Sequence, residues 1–134
     1  MLSHGDYTHG QVVFDGPVSG VLDLDGVCLA EPALDLGQFC AYLRVACTKA
    51  TRAARGTSPE LAHHLCERFL TSYMGAAETP EAGAAHLRER VAVYELVSLV
   101  RMALRSWQQL KPERTACVLQ VLEERMRVAT RPTP

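Results

Sequence analysis

Near one end of the chain an acid sits on a tight turn, His4-Gly5-Asp6, followed shortly by an amide, Gln11. Two short apolar runs come next, and the second, Val21-Leu22-Asp23, ends in a carboxylate. Phosphoryl transfer to a hydroxyl asks for this kind of set. One carboxylate orients the attacking hydroxyl, and a second carboxylate with an amide holds the magnesium that bridges the phosphates. Asp6 is the candidate catalytic base, while Gln11 and Asp23 are the candidate metal ligands. Magnesium takes oxygen ligands and usually keeps only one or two protein carboxylates, the remaining positions going to water and phosphate. Asp25 lies two residues beyond Asp23 and falls on the same side if the strand continues that far, which makes it a further metal candidate.

Each of these residues has a plainer reading. Asp6 after a glycine can be an Asx-turn acid. Gln11 can be a polar residue opening a strand, and Asp23 a strand residue facing solvent. Against the last stands the run Val21, Leu22, Leu24, which reads as buried, where a lone carboxylate is costly unless paired.

The elements that must position these groups are short strands followed by helices. Gln11 to Phe14 and Gly20 to Asp23 are β-rich, and Asp15-Gly16-Pro17 between them is turn chemistry, so a hairpin presents Asp23 at its exit. Pro32 opens a helix carrying Leu34, Phe39, Leu43 and Ala46, expected to run to about Arg55 and stop at Gly56. Ser58 is a cap and Pro59 the first residue of the next helix, whose stripe is Leu61, Leu65, Phe69 and Tyr73, with Gly75 as its stop. After a small-residue loop from Ala76 to Gly83 a long helix carries Leu87, Val91, Tyr94, Val97, Leu99, Met102 and Leu110. Its stretch Val91 to Leu104 is apolar on most sides, which predicts burial all round. Pro112 breaks it, and Glu113 to Val128 forms the last helix before a frayed tail, Arg131 to Pro134. With no repeat and no linker, residues 1–130 read as one domain, mainly α with a small β-hairpin.

A chain of 134 residues, 48% of them hydrophobic, builds a real core. Its net charge of -1 offers no field for nucleic acid or an anionic membrane. The charge is unevenly spread. Residues 1–43 hold Asp6, Asp15, Asp23, Asp25, Glu31 and Asp35 and no lysine or arginine, a segment suited to a divalent cation. Asp15 and Glu31 read as turn and helix caps. The five cysteines are scattered, with Cys40 and Cys47 on one helical face, which is the pattern of buried thiols in a reducing compartment rather than disulfides or zinc. His63, His64 and Cys66 are adjacent on a helix and diverge, so a shared metal is not expected. His9 is a loop residue without an assigned role, and Trp107 belongs to core or surface rather than to a substrate platform. No leader and no apolar run of membrane-spanning length is seen, and the cytoplasm is the default.

The blocks His4-Gly5-Asp6 with Gln11, Leu22-Asp23-Leu24 and Glu31-Pro32-Ala33-Leu34-Asp35-Leu36 stand in the order and spacing of a known set. Over its first third the chain resembles the aminoglycoside phosphotransferase and choline-kinase-like family. There the catalytic loop reads His-Gly-Asp and then Asn, followed by a hairpin, an Ile-Asp-Trp-like triplet and Gly-Asp-Pro-Ala-x-Asp-Leu. The resemblance implies a kinase-like C-terminal lobe, ATP and Mg2+ as cofactors, and transfer of the γ-phosphate to a hydroxyl of a small molecule. It implies that Asp6 meets the acceptor hydroxyl and that His4 and Asp35 support the loop. Gln11 departs from the usual Asn and reaches one methylene further.

No Gly-rich loop and no lysine on an upstream strand occur, so the N-terminal lobe that grips ATP is expected to be missing and ATP binding by the chain alone is not expected. Two readings follow. One is the C-terminal part of a phosphotransferase, completed by a separate or upstream N-terminal lobe. The other is an inactive relic serving as a helical binding or interaction domain. Loss of upstream helices would bare the long helix, predicting self-association or a partner chain through Tyr94, Leu96, Val97 and Val100.

Overall fold

The computed structural model describes residues 1–53 and 59–130. The order is β1 (Leu2–Ser3), β2 (Val12–Asp15), β3 (Val18–Val21), β4 (Cys28–Leu29), then α1 (Pro32–Arg52), α2 (Pro59–Ala76), α3 (Glu81–Gln108) and α4 (Pro112–Ala129). The fold is mainly α with a small β-hairpin, as expected. The cap at Ser58, the stop at Gly56 and the tail from Arg131 lie outside the described residues.

The hairpin pairs β2 and β3 antiparallel, from Val12 opposite Val21 to Asp15 opposite Val18. Gly16-Pro17 is therefore the two-residue turn, and Gly16 takes φ +56° at its first position, which favours glycine and suits the strand twist. A second ladder was not foreseen. β1 pairs with β4, Leu2 opposite Leu29 and Ser3 opposite Cys28, so the segment before the turn is tied to the segment entering α1. Beyond β3 the chain does not continue as strand. Asp23 sits at φ 60°, ψ 65°, and Leu24–Gly26 is a 3-10 turn. Val21, Leu22 and Leu24 are exposed, so the expected buried run is not found.

α1 begins with Pro32 in its first turn, where a missing N–H costs nothing. The face it buries is made of Ala33, Leu36, Gly37, Cys40 and Ala41, not of the expected stripe Leu34, Phe39, Leu43, Ala46, which is only half-buried. Small residues decide this, because they let α1 lie close against α3. A Cβ on Gly37 would come within 2.7 Å of the Glu95 nitrogen and 2.8 Å of the Val91 oxygen. α2 shows the same offset. Ala62, Cys66 and Leu70 are buried while Leu61 and Leu65 lie at the edge.

The core forms two clusters. Leu36, Cys40, Cys66, Leu70, Leu87 and Val91 join α1, α2 and α3. Ala41, Val45, Leu99, Met102, Val118 and Val121 join α1, α3 and α4. Each fully buried leucine or valine contributes about 1.5–3 kcal/mol.

The helix limits correct three expectations. α2 runs through Gly75 to Ala76, and α3 starts at Glu81 and contains Gly83. α3 stops at Gln108, and Leu110 lies outside it with φ 53°. There the Leu110 N–H bonds to Trp107 O (2.9 Å) and the Lys111 N–H to Ser106 O (3.0 Å). This is a left-handed helix end of the Schellman kind, made without glycine, and Pro112 then starts α4. α3 is also not buried all round. Val93, Val97, Val100, Leu104 and Trp107 are exposed.

One acid enters the core. Glu95, 2% exposed, takes Arg44 Nε on Oε1 at 2.6 Å and Arg125 Nη2 on Oε2 at 3.1 Å, so a single carboxylate links α1, α3 and α4. Burial alone lowers the Arg44 pKa, but the charge and hydrogen bond of Glu95 outweigh it and the net shift is upward.

Candidate active site

The turn carrying Asp6 is built by α1. Asp35, in the first turn of that helix, accepts the His4 N–H on Oδ2 at 2.6 Å and the Gly5 N–H on Oδ1 at 2.9 Å. Two charge-assisted bonds from one carboxylate fix the peptide that precedes Asp6. The His4 ring works from below. One nitrogen, Nε2, meets Leu22 O at 2.8 Å, and the other, Nδ1, accepts the Asp6 N–H at 3.3 Å. A carbonyl only accepts and an N–H only donates, so the proton sits on Nε2. His4 and Asp35 thus hold the loop, as the family resemblance implied for them.

Gly5 completes the turn at φ +81°, with its missing Cβ pointing at Gly26. A Cβ there would lie 2.1 Å from the Gly26 oxygen, so no side chain fits at this position. Tyr7, just beyond Asp6, stacks on Phe39 of α1 (5.3 Å) and faces Phe69 of α2 (6.4 Å), and those two rings lie 4.2 Å apart. The loop is therefore anchored to two helices. Burial, then the Asp35 charge, pushes the Tyr7 hydroxyl above its ordinary pKa.

Asp6 itself is exposed, and its Oδ1 accepts a hydrogen bond from Gln38 Nε2. Gln38 is 5% exposed and its Oε1 has no hydrogen-bond partner among the described residues. Sequence reasoning missed Gln38. The available signal was its place one turn after Asp35 on α1, which puts both residues on the side facing the loop.

Gln11 and Asp23 come together across the open end of the hairpin. Leu22 N–H bonds to Gln11 O at 2.8 Å, and Gln11 Nε2 donates to Asp23 Oδ2 at 3.1 Å. The left-handed backbone of Asp23 turns the chain out of the strand here. Asp25 is not brought into the pair as expected. It lies in the 3-10 turn, so the two-residue alternation that would align it with Asp23 does not apply, and it makes no hydrogen bond or ion pair among the described residues. Among those residues no three His, Cys, Asp or Glu side chains cluster to hold a metal. His63 and His64 are exposed while Cys66 is buried, so they diverge as expected.

An amide oxygen and a carboxylate at hydrogen-bonding distance can converge on one cation once the amide rotates its oxygen inward. This donor set fits magnesium, which takes few protein ligands and keeps several waters. Buried burden is low here, since Asp23 is exposed and Gln11 half-buried.

Two cavities flank the loop. One of about 370 Å³ is lined by Asp6, Gln38, Tyr42, Ser98, Arg101 and Arg105 among others. The other, about 400 Å³, lies against His4, Tyr7, Leu24 and Phe69 and does not include Asp6. Among the described residues no helix is long and apolar enough to cross a membrane.

Compared with known proteins, residues 1–70 match the model of a family described as a phosphotransferase enzyme family. That span takes in the Asp6 turn, both ladders, α1 and most of α2. Neither the curated proteins nor the solved structures yield a match.

Proposed function

We propose, since this chain belongs to the phosphotransferase enzyme family, that it is the catalytic-loop part of an enzyme moving the γ-phosphate of ATP onto a hydroxyl of a small molecule. One observation carries the reading. Asp6 is an exposed carboxylate on a turn that Asp35 fixes through two backbone bonds, and it opens on a cavity of about 370 Å³. A group held this way orients a hydroxyl without itself reorganising. Asp6 accepts the hydroxyl hydrogen of the acceptor and takes its proton as transfer proceeds, while Gln38 holds the other carboxylate oxygen in line. Gln11 and Asp23 would hold magnesium. When bound, the metal neutralises charge on the phosphates. The setting is the cytoplasm, a reading supported by five cysteines that form no disulfide among the described residues.

A second reading is favoured by the exposed row Val93, Val97, Val100, Leu104, Trp107 on α3, which suits a helical interaction domain. The test uses Mn2+ as a paramagnetic probe. Broadening confined to Gln11, Asp23 and their neighbours, lost in Asp23→Asn and kept in Asp6→Asn, is the expected result. Manganese broadening that ignores Asp23 removes the metal assignment and leaves the interaction domain. Phosphotransfer by the chain alone is expected to be poor, since no lysine or arginine occurs before Arg44 to grip phosphates.

A further inference from the structure

We propose that the acceptor taken by the Asp6 cavity is a hydroxyl compound carrying an anionic group, a carboxylate or a phosphate, rather than an amine. The inference rests on Asp6 acting as the hydroxyl-orienting group. Asp6 is the one acid among the described residues that line the cavity, and Arg101 and Arg105 line it with Gln108. These three follow one another at one-turn spacing along α3, so they present one face. Arg44 and Arg125 are paired to Glu95, Arg88 to Glu67 and Arg90 to Glu31. Arg101 and Arg105 have no ion-pair partner among the described residues. With the carboxylate of Asp6 already bonded to Gln38, the lining carries a surplus of positive charge.

A second observation points to a polar ligand in the same place. The Gln38 amide oxygen is buried and unpartnered while its nitrogen serves Asp6. A buried acceptor without a donor is costly. Gln38 lines the cavity, so a polar ligand there sits beside an acceptor that has no donor among the described residues. A cavity of about 370 Å³ suits a monosaccharide-sized molecule. Gln11 and Asp23 do not line it, so the two arginines stand in a lining separate from the candidate metal pair.

The experiment is an NMR titration of the chain with three matched pyranoses, glucuronate, glucose and glucosamine, and with inorganic triphosphate. Glucuronate should shift the amides of Gln38, Ser98, Arg101 and Arg105 and bind about tenfold tighter than glucosamine, as expected for one charge-assisted contact. The double variant Arg101→Gln/Arg105→Gln alters exposed side chains and should melt like the parent while losing that preference. Glucosamine binding as well as glucuronate, glucuronate leaving those amides unmoved, or a variant that keeps the preference overturns the proposal. Triphosphate shifting Arg101 and Arg105 where glucuronate does not overturns it as well and gives the arginines to the donor. Mn2+ broadening at Gln11 and Asp23 in the same samples reports on the phosphotransferase reading separately.

Discussion

Gln38 and Asp6 stand 32 positions apart in sequence and share a hydrogen bond, the Gln38 amide donating to the Asp6 carboxylate. Asp35, one turn earlier on α1, holds the backbone of the same turn. One helix therefore sets both where Asp6 sits and which way its carboxylate faces.

Asp35→Ala removes two charge-assisted bonds to backbone N–H groups and should destabilise the chain by about 3 kcal/mol. Gln38→Ala should cost about 1 kcal/mol. The losses should fall short of additive in the double variant, because both residues act on the same loop. Urea unfolding of the four proteins measures this, and strict additivity would contradict a shared loop.

Glu95 is the most sensitive buried charge. Glu95→Ala leaves unpaired two partly buried guanidinium groups that lie 2.6 Å and 3.1 Å from its carboxylate in the parent, and should cost about 3–5 kcal/mol. Replacing all three members together by apolar residues should cost far less than the single change. Chemical denaturation decides it.

Leu110 is held in the left-handed region at the end of α3 and is almost fully exposed. Leu110→Gly should stabilise by about 1 kcal/mol, since glycine adopts this backbone without a Cβ penalty. A lower Tm would show that the leucine side chain contributes a contact.

Tyr7 gives a pH dependence at the alkaline end. Burial, then the Asp35 charge, raises its native pKa above the ordinary tyrosine value of 10.0. Below pH 10 the hydroxyl is protonated in both states and its contribution is fully present. As the pH rises through 10 towards the native value, the unfolded chain ionises first and stability falls. Tyr7→Phe should flatten the stability profile above pH 10, read by thermal melts across that window. An unchanged slope would mean that Tyr7 is not buried as described.

How much of this was legible in the sequence depends on the element. The turn and hairpin were, because His4-Gly5-Asp6 and Asp15-Gly16-Pro17 are local patterns whose geometry follows from the residues themselves. The β1–β4 ladder was not, since two-residue strands leave no periodicity. The buried faces of α1 and α2 were misjudged because large apolar side chains were counted, whereas Ala33, Gly37, Ala41 and Ala62 make the close contacts. Asp25 was misplaced by assuming that a strand continued through the left-handed Asp23. Gln38 and Glu95 are polar groups whose partners lie far along the chain, and single-sequence patterns do not record such pairings.

The exposed row on α3 repeats at spacings of four and three, Val93, Val97, Val100, Leu104 and Trp107, the spacing that a two-helix seam requires. The chain should self-associate through it, and Val97→Glu/Val100→Glu should give a monomer. Sedimentation across a dilution series measures this, and a parent chain that stays monomeric at high concentration would count against the seam.

The cysteines turn the fold into its own recorder. Cys28 is open to solvent, while Cys40 and Cys47 on α1, Cys66 on α2 and Cys117 on α4 are shut away, and burial pushes the Cys47 and Cys117 thiols above their ordinary pKa. A thiol reagent therefore reads a fast signal from Cys28 and then one delayed signal per opening event. The order in which the delayed signals arrive tells which helix parts from the bundle first, with no label added to the protein.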